Sequence, residues 1–483
     1  MKEGSPLTVS SLPKVEYRKG SVVKHDGYEI TDHWFQVPLT HGLIFSKGKD
    51  AALSSRFADQ TITVFAREVV NTSETLTVPA DKRPYIVYLQ GGPGFGSPKT
   101  GSIGGWIAEL AKTHRVVLLD QRGTGMSSPL SARNITAVGD PQVQAEYTEL
   151  FRADSIIADA EAVREVLLAD RADKRWSTIG QSFGGFLTLS YLSFAPQSLR
   201  DCRITAGLAP IRTSVDNVYQ HTFDRMKERN EEYYSWFPED AELATRIAEH
   251  LRTHKEYLPT GERLTDHRFQ MAGHFLGGRW RERGLHYFLE TAFAEGNDHL
   301  SDQFLTAMGA EVTFQANPLY ALMHETIYAD GPADGILPGI PGYELSPSPA
   351  PTNWSAARVA ASRPEFAPDA DRLLFTGEHI FPWYYEEDPS LRPLAEVANL
   401  LAEKKDWGRL YDHAQLHKNE VPVVAAAYNP DVYVDFEHSM ETARWVGNTH
   451  VWTSKTHHHD GFGSDSLTIL GHLKNMLAEV HNQ

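Results

Sequence analysis

Short, mostly apolar runs recur along the chain, and several are followed by a turn-forming segment and then by residues with helical periodicity. Five of these runs are predicted to be buried strands, at residues 85–89, 115–119, 176–179, 422–428 and 450–453. Continuous apolar runs of this length are typical of strands covered on both faces, as in a parallel sheet. From about residue 29 to 211, strands and helices are predicted to alternate. The pattern therefore indicates an α/β fold with a mostly parallel central sheet.

A long middle segment departs from this pattern. Between Asp216 and about Glu387, charged and aromatic residues are frequent, stretches such as 240–254 have helical periodicity, and no strong buried strand is evident. Residues 331–351 are dense in Pro, Gly and Ser, which predicts an irregular surface loop. Helices over 391–405 and 466–480 are predicted to return the chain to the core. We therefore predict a core of two parts, 1–212 and 388–483, and a mainly helical insertion at 213–387.

The strongest chemical signal is the sequence Gly180-Gln181-Ser182-Phe183-Gly184, which follows the predicted strand 176–179 and precedes a helical pattern. In a nucleophile elbow, a sharp strand-to-helix turn holds the central serine in a strained backbone conformation. The glycines two residues before and after it let the strand and the helix approach closely. Gly-x-Ser-x-Gly occurs by chance in many chains, but a strand before it and a helix after it favour Ser182 as a nucleophile.

A second glycine-rich turn, Gln90-Gly91-Gly92-Pro93-Gly94, follows the predicted strand 85–89. Backbone N–H groups in such a turn bind either a phosphate or the oxyanion of a tetrahedral intermediate. A phosphate-binding loop would end in Gly-Lys-Ser/Thr, and this turn does not. We therefore predict an oxyanion hole in which one donor is the N–H of Phe183 and the other comes from Gly91 or Gly92.

A serine alone is a weak nucleophile and needs a base and an orienting carboxylate. With this kind of turn, the acid and then the histidine follow the serine on loops that leave later strands of the same sheet. Asp431 follows the predicted strand 422–428, and His457-His458-His459 follow the strand 450–453. We therefore predict that Asp431 orients an imidazole that takes the proton of Ser182.

Alternatives remain for both partners of the serine. His459 is preferred among the three histidines because it directly precedes Asp460-Gly461. Asp435 and Glu437 compete with Asp431, although a solvated loop is the commoner setting of such carboxylates. Three adjacent histidines could instead bind a metal, but successive side chains do not easily face one ion. No metal site is predicted.

Three motifs follow one another in a fixed order. Gln90 precedes Gly-Gly-Pro-Gly, residues 120–127 read Asp-Gln-Arg-Gly-Thr-Gly-Met-Ser, and residues 180–185 read Gly-Gln-Ser-Phe-Gly-Gly. From about residue 30 to the end, the chain resembles the proline iminopeptidase (prolyl aminopeptidase) family, in which the first motif usually begins with His rather than Gln. The resemblance implies an α/β-hydrolase fold with an inserted helical cap domain. It also implies a catalytic triad of Ser182, Asp431 and His459, with Gly92 and Phe183 in the oxyanion hole.

The second motif contains a charged pair, Asp120 and Arg122. Arginine stays protonated and suits bidentate pairing with a carboxylate. We predict that the two residues form an ion pair that braces the loops around the site.

The resemblance further implies that glutamates of the cap recognise the free amino end of the substrate. Family members carry a His-Glu segment and a Gly-Glu-x-x-x-Pro-Trp segment, which appear here as His324-Glu325 and residues 377–383. A carboxylate in the cleft pairs with an ammonium and rejects a blocked amine. Glu325, Glu378 and Trp383 are therefore predicted to bind substrate beside Gly91. Alternatively, the glutamates pair with arginines inside the cap and the aromatic residue belongs to the core.

Composition narrows the classes of function. A chain of 483 residues exceeds one ordinary core, and its net charge of -17 disfavours nucleic acid and anionic membranes as partners. No run approaches the roughly 20 apolar residues of a membrane span, and the amino end lacks a leader pattern. The one cysteine, Cys202, cannot form an intrachain disulfide, which fits a cytoplasmic location.

The function predicted from these observations is that of a serine aminopeptidase without a cofactor. It would release an N-terminal residue, preferably proline, from small peptides with a free N-terminus through an acyl-enzyme. Because one fold hosts many chemistries, hydrolysis of esters or other amides remains an alternative. A non-catalytic ligand receptor is disfavoured because every catalytic part is present. The sequence leaves the oligomeric state and the substrate range open.

Overall fold

The structure is a computed structural model that describes residues 15–41, 55–99, 101–293, 298–331 and 351–482. Its strands are β1 (Glu16–His25), β2 (Tyr28–Pro38), β3 (Thr61–Asn71), β4 (Tyr85–Leu89), β5 (Arg115–Asp120), β6 (Trp176–Gln181), β7 (Leu199–Thr205), β8 (Glu256–Tyr257), β9 (Arg263–Leu264), β10 (Val423–Tyr428) and β11 (Thr449–Ser454). Nine of these strands form one sheet in the order β1-β2-β3-β5-β4-β6-β7-β10-β11. The strands β8 and β9 form a separate hairpin.

The six strands from β5 to β11 in this sheet run parallel to one another, which confirms the predicted mostly parallel sheet. The alternation predicted from about residue 29 is wrong at the other edge, where β2 and β3 pair antiparallel, and β1, which lies before the predicted range, pairs antiparallel with β2. The link between β1 and β2 is the two-residue turn Asp26-Gly27, in which both residues have positive φ, 50° and 80°. Such turns match the twist of antiparallel strands, so they favour a hairpin over a helical crossover.

The helices cover both faces of the sheet. They are α1 (Gly105–Ala111), α2 (Ala132–Thr136), α3 (Pro141–Glu149), α4 (Ala153–Leu167), α5 (Phe183–Phe194), α6 (Val215–Trp236), α7 (Pro238–Thr253), α8 (Asp266–Phe269), α9 (Arg281–Glu290), α10 (Asp302–Val312), α11 (Pro318–Met323), α12 (Ser355–Ala361), α13 (Tyr384–Glu387), α14 (Ala395–Glu403), α15 (His413–His417), α16 (Phe436–Trp445), α17 (Gly461–Ser464) and α18 (Ser466–His481). Helices α1 and α18 bury apolar side chains against one face, whereas α4 and α5 pack on the other. This double cover explains why β4 and β10 are buried along their whole length.

Residues 206–422, between β7 and β10, form what we call the helical insertion. Its described residues include the helices α6 to α15, four 3₁₀ segments and the hairpin of β8 and β9, and none of its described strands joins the nine-stranded sheet. Most of the predicted loop 331–351 lies outside the described residues. The predicted division at residues 213 and 387 stays a prediction, because helices continue on both sides of residue 387.

The insertion shares one apolar core with the sheet side. Phe186 of α5, for example, packs edge-on against Tyr328, with ring centroids 5.9 Å apart. None of the described helices combines the length and the apolar character that crossing a membrane requires.

Candidate active site

Ser182 lies in the turn between β6 and α5, with backbone angles φ 56° and ψ −125°. A side chain at either flanking glycine would collide with backbone. A Cβ added to Gly180 would lie 2.1 Å from the carbonyl oxygen of Gly184, and one added to Gly184 would lie 1.9 Å from that of Leu89. The strained serine and the close approach of the backbones on either side are the features that the Gly-x-Ser-x-Gly pattern predicts.

The structure brings Ser182, His459 and Asp431 into one hydrogen-bonded row. Nε2 of His459 lies 2.9 Å from Oγ of Ser182, and Nδ1 lies 2.9 Å and 3.0 Å from the carboxylate oxygens of Asp431. Asp431 is 1% exposed, and its Oδ1 also accepts the backbone N–H groups of Tyr433 and Val434. With Nδ1–H donating to this carboxylate, Nε2 is free to accept the serine proton.

The electrostatics of the row favour the protonated imidazole. Burial acts to lower the pKa of His459, but the charge of Asp431, its hydrogen bond and the charge of Glu378 outweigh burial and raise this pKa above its ordinary value. An imidazole with a raised pKa is a stronger base toward the serine hydroxyl, and it is neutral only above that pKa.

The competing acid Asp435 is used elsewhere. It begins α16, where its Oδ1 accepts the N–H groups of Glu437 and His438, and its Oδ2 accepts a hydrogen bond from Arg225 at 3.0 Å. His221, Asp435 and His438 are also the one group in the described part of the chain with the spacing of metal ligands. Both oxygens of Asp435 therefore already have partners. Asp435 caps α16 and pairs with Arg225, and it does not orient His459.

The two other histidines of the run have different surroundings. Nδ1 of His457 lies 2.7 Å from Oγ of Ser454, at the end of β11. Burial lowers the pKa of His458 to about 4, so this imidazole is neutral near pH 7. His459 is thus the member of the run that lies against Ser182.

The glycine-rich loop passes directly beside the serine. A Cβ added to Gly91 would lie 3.1 Å from Cβ of Ser182, and Gly92 has φ 128°, which a residue with a side chain rarely adopts. Phe183 is the first residue of α5, and the first N–H groups of a helix have no partner within that helix. The backbone carbonyl of Gln90 accepts a hydrogen bond from Gln121, so the loop is tied at the position where the chain departs from the family pattern.

The predicted ion pair between Asp120 and Arg122 is wrong, although both residues brace loops. Asp120 accepts the backbone N–H groups of Ser97 and Met126, at 2.8 Å and 2.7 Å. Arg122 instead forms a bidentate pair with Asp159 of α4, with both N–O distances 2.7 Å. Asp120 and Arg122 are two residues apart at the end of β5 and face different neighbours, and their spacing along the chain does not show which neighbours these are.

A cavity of about 380 Å³ opens next to Ser182 and His459. Gly91 and Gly92 are among the residues that line it. The helical insertion supplies much of its wall, including Tyr320 and Glu378. Ser182, His459 and the carboxylate of Glu378 therefore face the same space.

Glu378 is the predicted cap glutamate that reaches this cavity. Its side chain is 19% exposed, its Oε2 accepts a hydrogen bond from the Tyr320 hydroxyl at 2.9 Å, and its Oε1 lies 3.6 Å from Nε2 of His324. Burial acts to raise its pKa, but the hydrogen bond and the charge of His324 and the charge of His459 outweigh it and lower the pKa. Glu378 is thus a charged carboxylate at neutral pH.

Glu325 and Trp383 lie outside the residues that line the cavity, which corrects the expectation that both contact substrate. Glu325 is buried, and its Oε1 accepts the N–H of Ala356 in the first turn of α12. A helix N-terminus holds a carboxylate well, so this residue has a structural partner. Trp383 stacks on Phe381 and meets Tyr384 edge-on, with centroid distances of 5.5 Å and 4.2 Å.

Sequence reasoning missed other residues of the cavity. The ring of Tyr433 packs edge-on against that of His459, with centroids 4.9 Å apart, and Tyr320 hydrogen-bonds Glu378. Tyr433 follows Asp431 by two residues, and this closeness in the sequence was a signal that its side chain lies near the site. Nothing in the sequence around Tyr320 or Arg281 marked either as a residue of the cavity.

A mostly parallel sheet of this strand order, with a serine in the turn after β6 and an aspartate and a histidine after β10 and β11, defines an α/β hydrolase. Residues 84–254 also match the family described as alpha/beta hydrolase fold.

Two relatives show to which family of α/β hydrolases the chain belongs. The proline iminopeptidase of Aeromonas sobria is 40% identical over 93% of this chain and 96% of its own length. The proline iminopeptidase aneH of Aspergillus aculeatus is 36% identical over 91% and 92%. The chain belongs to the proline iminopeptidase family. Among solved structures, acetyl xylan esterase 1 from Thermoanaerobacterium sp. JW/SL YS485 has a TM-score of 0.40 at 10% identity, covering 96% of this chain and 89% of that one.

Proposed function

We propose that this protein is a serine aminopeptidase that releases an N-terminal residue, preferably proline, from small peptides. The observation that carries the proposal is the charged Glu378 in the same cavity as the Ser182–His459–Asp431 row. A nucleophile with a base performs acyl transfer on many substrates, whereas a carboxylate beside it favours those with a free amine. Membership in the proline iminopeptidase family supports the same substrate class.

The first half of the reaction forms an acyl-enzyme. Ser182 Oγ attacks the carbonyl carbon of the first residue while His459 Nε2 takes its proton, and Asp431 stabilises the imidazolium. The N–H of Phe183 and one from Gly91 or Gly92 stabilise the oxyanion. The intermediate collapses when His459 gives the proton to the leaving nitrogen, which breaks the peptide bond.

The second half regenerates the enzyme. Water attacks the ester carbonyl of the acyl-enzyme, and His459 accepts a proton from that water. The second tetrahedral intermediate then collapses: the bond between its carbon and Oγ of Ser182 breaks, and His459 gives its proton to Oγ. The free amino acid leaves, and every proton is accounted for.

Glu378 explains why the enzyme would act only at the end of a chain. An ammonium on the first residue pairs with the carboxylate, which Tyr320 holds in place through its hydroxyl. An acetylated amine carries no charge and would leave Glu378 desolvated without a cation, which disfavours binding. The aromatic rings of Phe95, Phe314 and Tyr320 line the same cavity and supply apolar surface for a pyrrolidine ring.

The test compares four substrates with the same chromophore: proline aryl-amide, alanine aryl-amide, N-acetyl-proline aryl-amide and a short-chain aryl ester. Preference for proline aryl-amide and loss of turnover on acetylation are expected. Rapid turnover of the ester without that of the amides would move the function to another hydrolase class. The cytoplasmic location expected from the single cysteine stays a prediction, and cell fractionation tests it.

A further inference from the structure

One cation of the cavity has no role in the reaction described above. Arg281, the first residue of α9, is exposed and lines the cavity beside Ser182 and His459. Its guanidinium carbon lies 5.5 Å from the ring centroid of Phe275. No hydrogen bond or ion pair to another described residue engages this guanidinium. Most buried or partly buried arginines of this chain have carboxylate or carbonyl partners, as Arg122 does.

Arg281 belongs to the wall on the histidine side of the cavity. A Cβ added to Gly278 would lie 2.4 Å from Cδ of Arg281 and 2.6 Å from a carboxylate oxygen of Asp460. Asp460 directly follows His459, and its other oxygen accepts the backbone N–H of Arg279. Since His459 delivers a proton to the leaving nitrogen, this wall faces the part of the peptide that departs.

The two acids that line the cavity, Glu378 and Glu311, are associated with Tyr320 and its neighbour Phe314. Glu378 accepts a hydrogen bond from Tyr320, and Glu311 lines the cavity together with Phe314, whose ring stacks on that of Tyr320. The charges of Glu378 and Arg281 both act on His274. Burial lowers its pKa to about 4, the charge of Glu378 opposes this shift, and the charge of Arg281 adds to it. The lining of the cavity thus contains the guanidinium of Arg281 as well as the carboxylates of Glu378 and Glu311, and the carboxylate of Asp460 lies beside Arg281.

We propose that Arg281 is a specificity-determining residue that binds the terminal carboxylate of the leaving peptide, so that short peptides with both ends free are the preferred substrates. The inference rests on the proposed aminopeptidase function. A zwitterionic dipeptide or tripeptide matches the charge pattern, because its ammonium pairs with Glu378 and its carboxylate with Arg281. In a protein with a net charge of -17, a local cation is also needed to attract an anionic chain end.

The experiment measures proline release from Pro-Ala and Pro-Ala-Ala, each as the free acid and as the C-terminal amide. The readout is the ratio of kcat/KM for acid and amide of one length. The variants are R281Q, which removes the charge, and R281K, which keeps it. The matched control is R283Q, because Arg283 is an exposed residue of the same helix that stacks on Trp280 and does not line the cavity.

In R281Q, the ratio should fall about three- to fivefold for at least one peptide length, which is the size expected for an exposed ion pair. R281K should restore much of it, and R283Q should leave it unchanged. About 0.5 M NaCl should lower the wild-type ratio toward that of R281Q.

The inference is overturned if R281Q changes acid and amide substrates equally, or neither. If the wild-type protein and R281Q both release proline and have the same ratio of kcat/KM for acid and amide, the inference alone fails. If it releases proline from neither, the proposed function fails as well.

Discussion

The turns at the ends of the strands and the helical insertion meet in one cavity, yet they are built in different ways. Ser182, Asp431 and His459 each follow a strand of the sheet within a few residues. Glu325, Glu378 and Trp383 are spread over helices and short turns of the insertion, and only Glu378 lines the cavity. The chemistry is thus placed by a regular sheet, whereas the recognition of substrate is placed by the packing of irregular segments.

The reason for the difference is geometric. Parallel strands end at one edge of the sheet, so residues just past those ends lie near one another whatever the intervening sequence. In the insertion, a side chain faces the cavity only if its short element has the right rotation. Glu325 begins a 3₁₀ turn of four residues and faces the start of α12 instead.

The largest effect should come from the strand-end turns. In S182A, the nucleophile is absent, and turnover of proline aryl-amide should fall by about 10⁴-fold or more, because the members of a triad act as a unit. Circular dichroism and the midpoint of thermal unfolding should stay close to those of the wild-type protein. Residual activity above about one part in a hundred would contradict the assignment of the nucleophile.

The second effect compares two aspartates that follow β10. D431N should lower kcat by about 10⁴-fold, because the amide no longer holds the imidazole in the productive tautomer. D435N serves as the matched control and should leave kcat within about twofold, since asparagine also caps a helix well. Equal losses in the two variants would show that the assignment of the acid is wrong.

The third effect compares two glutamates of the insertion. E378Q should lower kcat/KM for proline aryl-amide by roughly 30-fold or more, because the substrate ammonium loses its partner. E325Q should change kcat/KM little, because its carboxylate contacts the start of α12. Comparable losses for E325Q and E378Q would mean that the insertion places both glutamates on the substrate in solution.

The smallest expected effect is a shift in the pH profile, because the charge of Glu378 in the insertion acts on His459 at the strand ends. The negative charge of Glu378 helps to raise the pKa of His459, and only the neutral imidazole takes the serine proton. Activity should therefore be lost as the pH falls through this pKa. In E378Q the pKa is lower, so the acidic limb of the profile of kcat/KM against pH should move to lower pH. An unchanged limb, or one at higher pH, would show that Glu378 does not act on His459.

Much of the sheet and of the reactive row could be predicted because the signals are local. The strand Tyr85–Leu89 has the predicted bounds, and the terminal helix extends one residue beyond them, to His481. The antiparallel edge also had a local signal in Asp26-Gly27, a turn that lies just before the range over which strands and helices were predicted to alternate.

The sequence by itself determined the fold class, the elbow at Ser182 and the order of acid and histidine, because each depends on residues adjacent in the chain or on the regularity of parallel strands. The tertiary structure decided which groups share the cavity. It paired Arg122 with Asp159, turned Glu325 toward α12, and brought Glu378 and Arg281 to the same cavity. Those outcomes depend on the rotation and packing of segments far apart in the chain, and no local pattern encodes the distances between them.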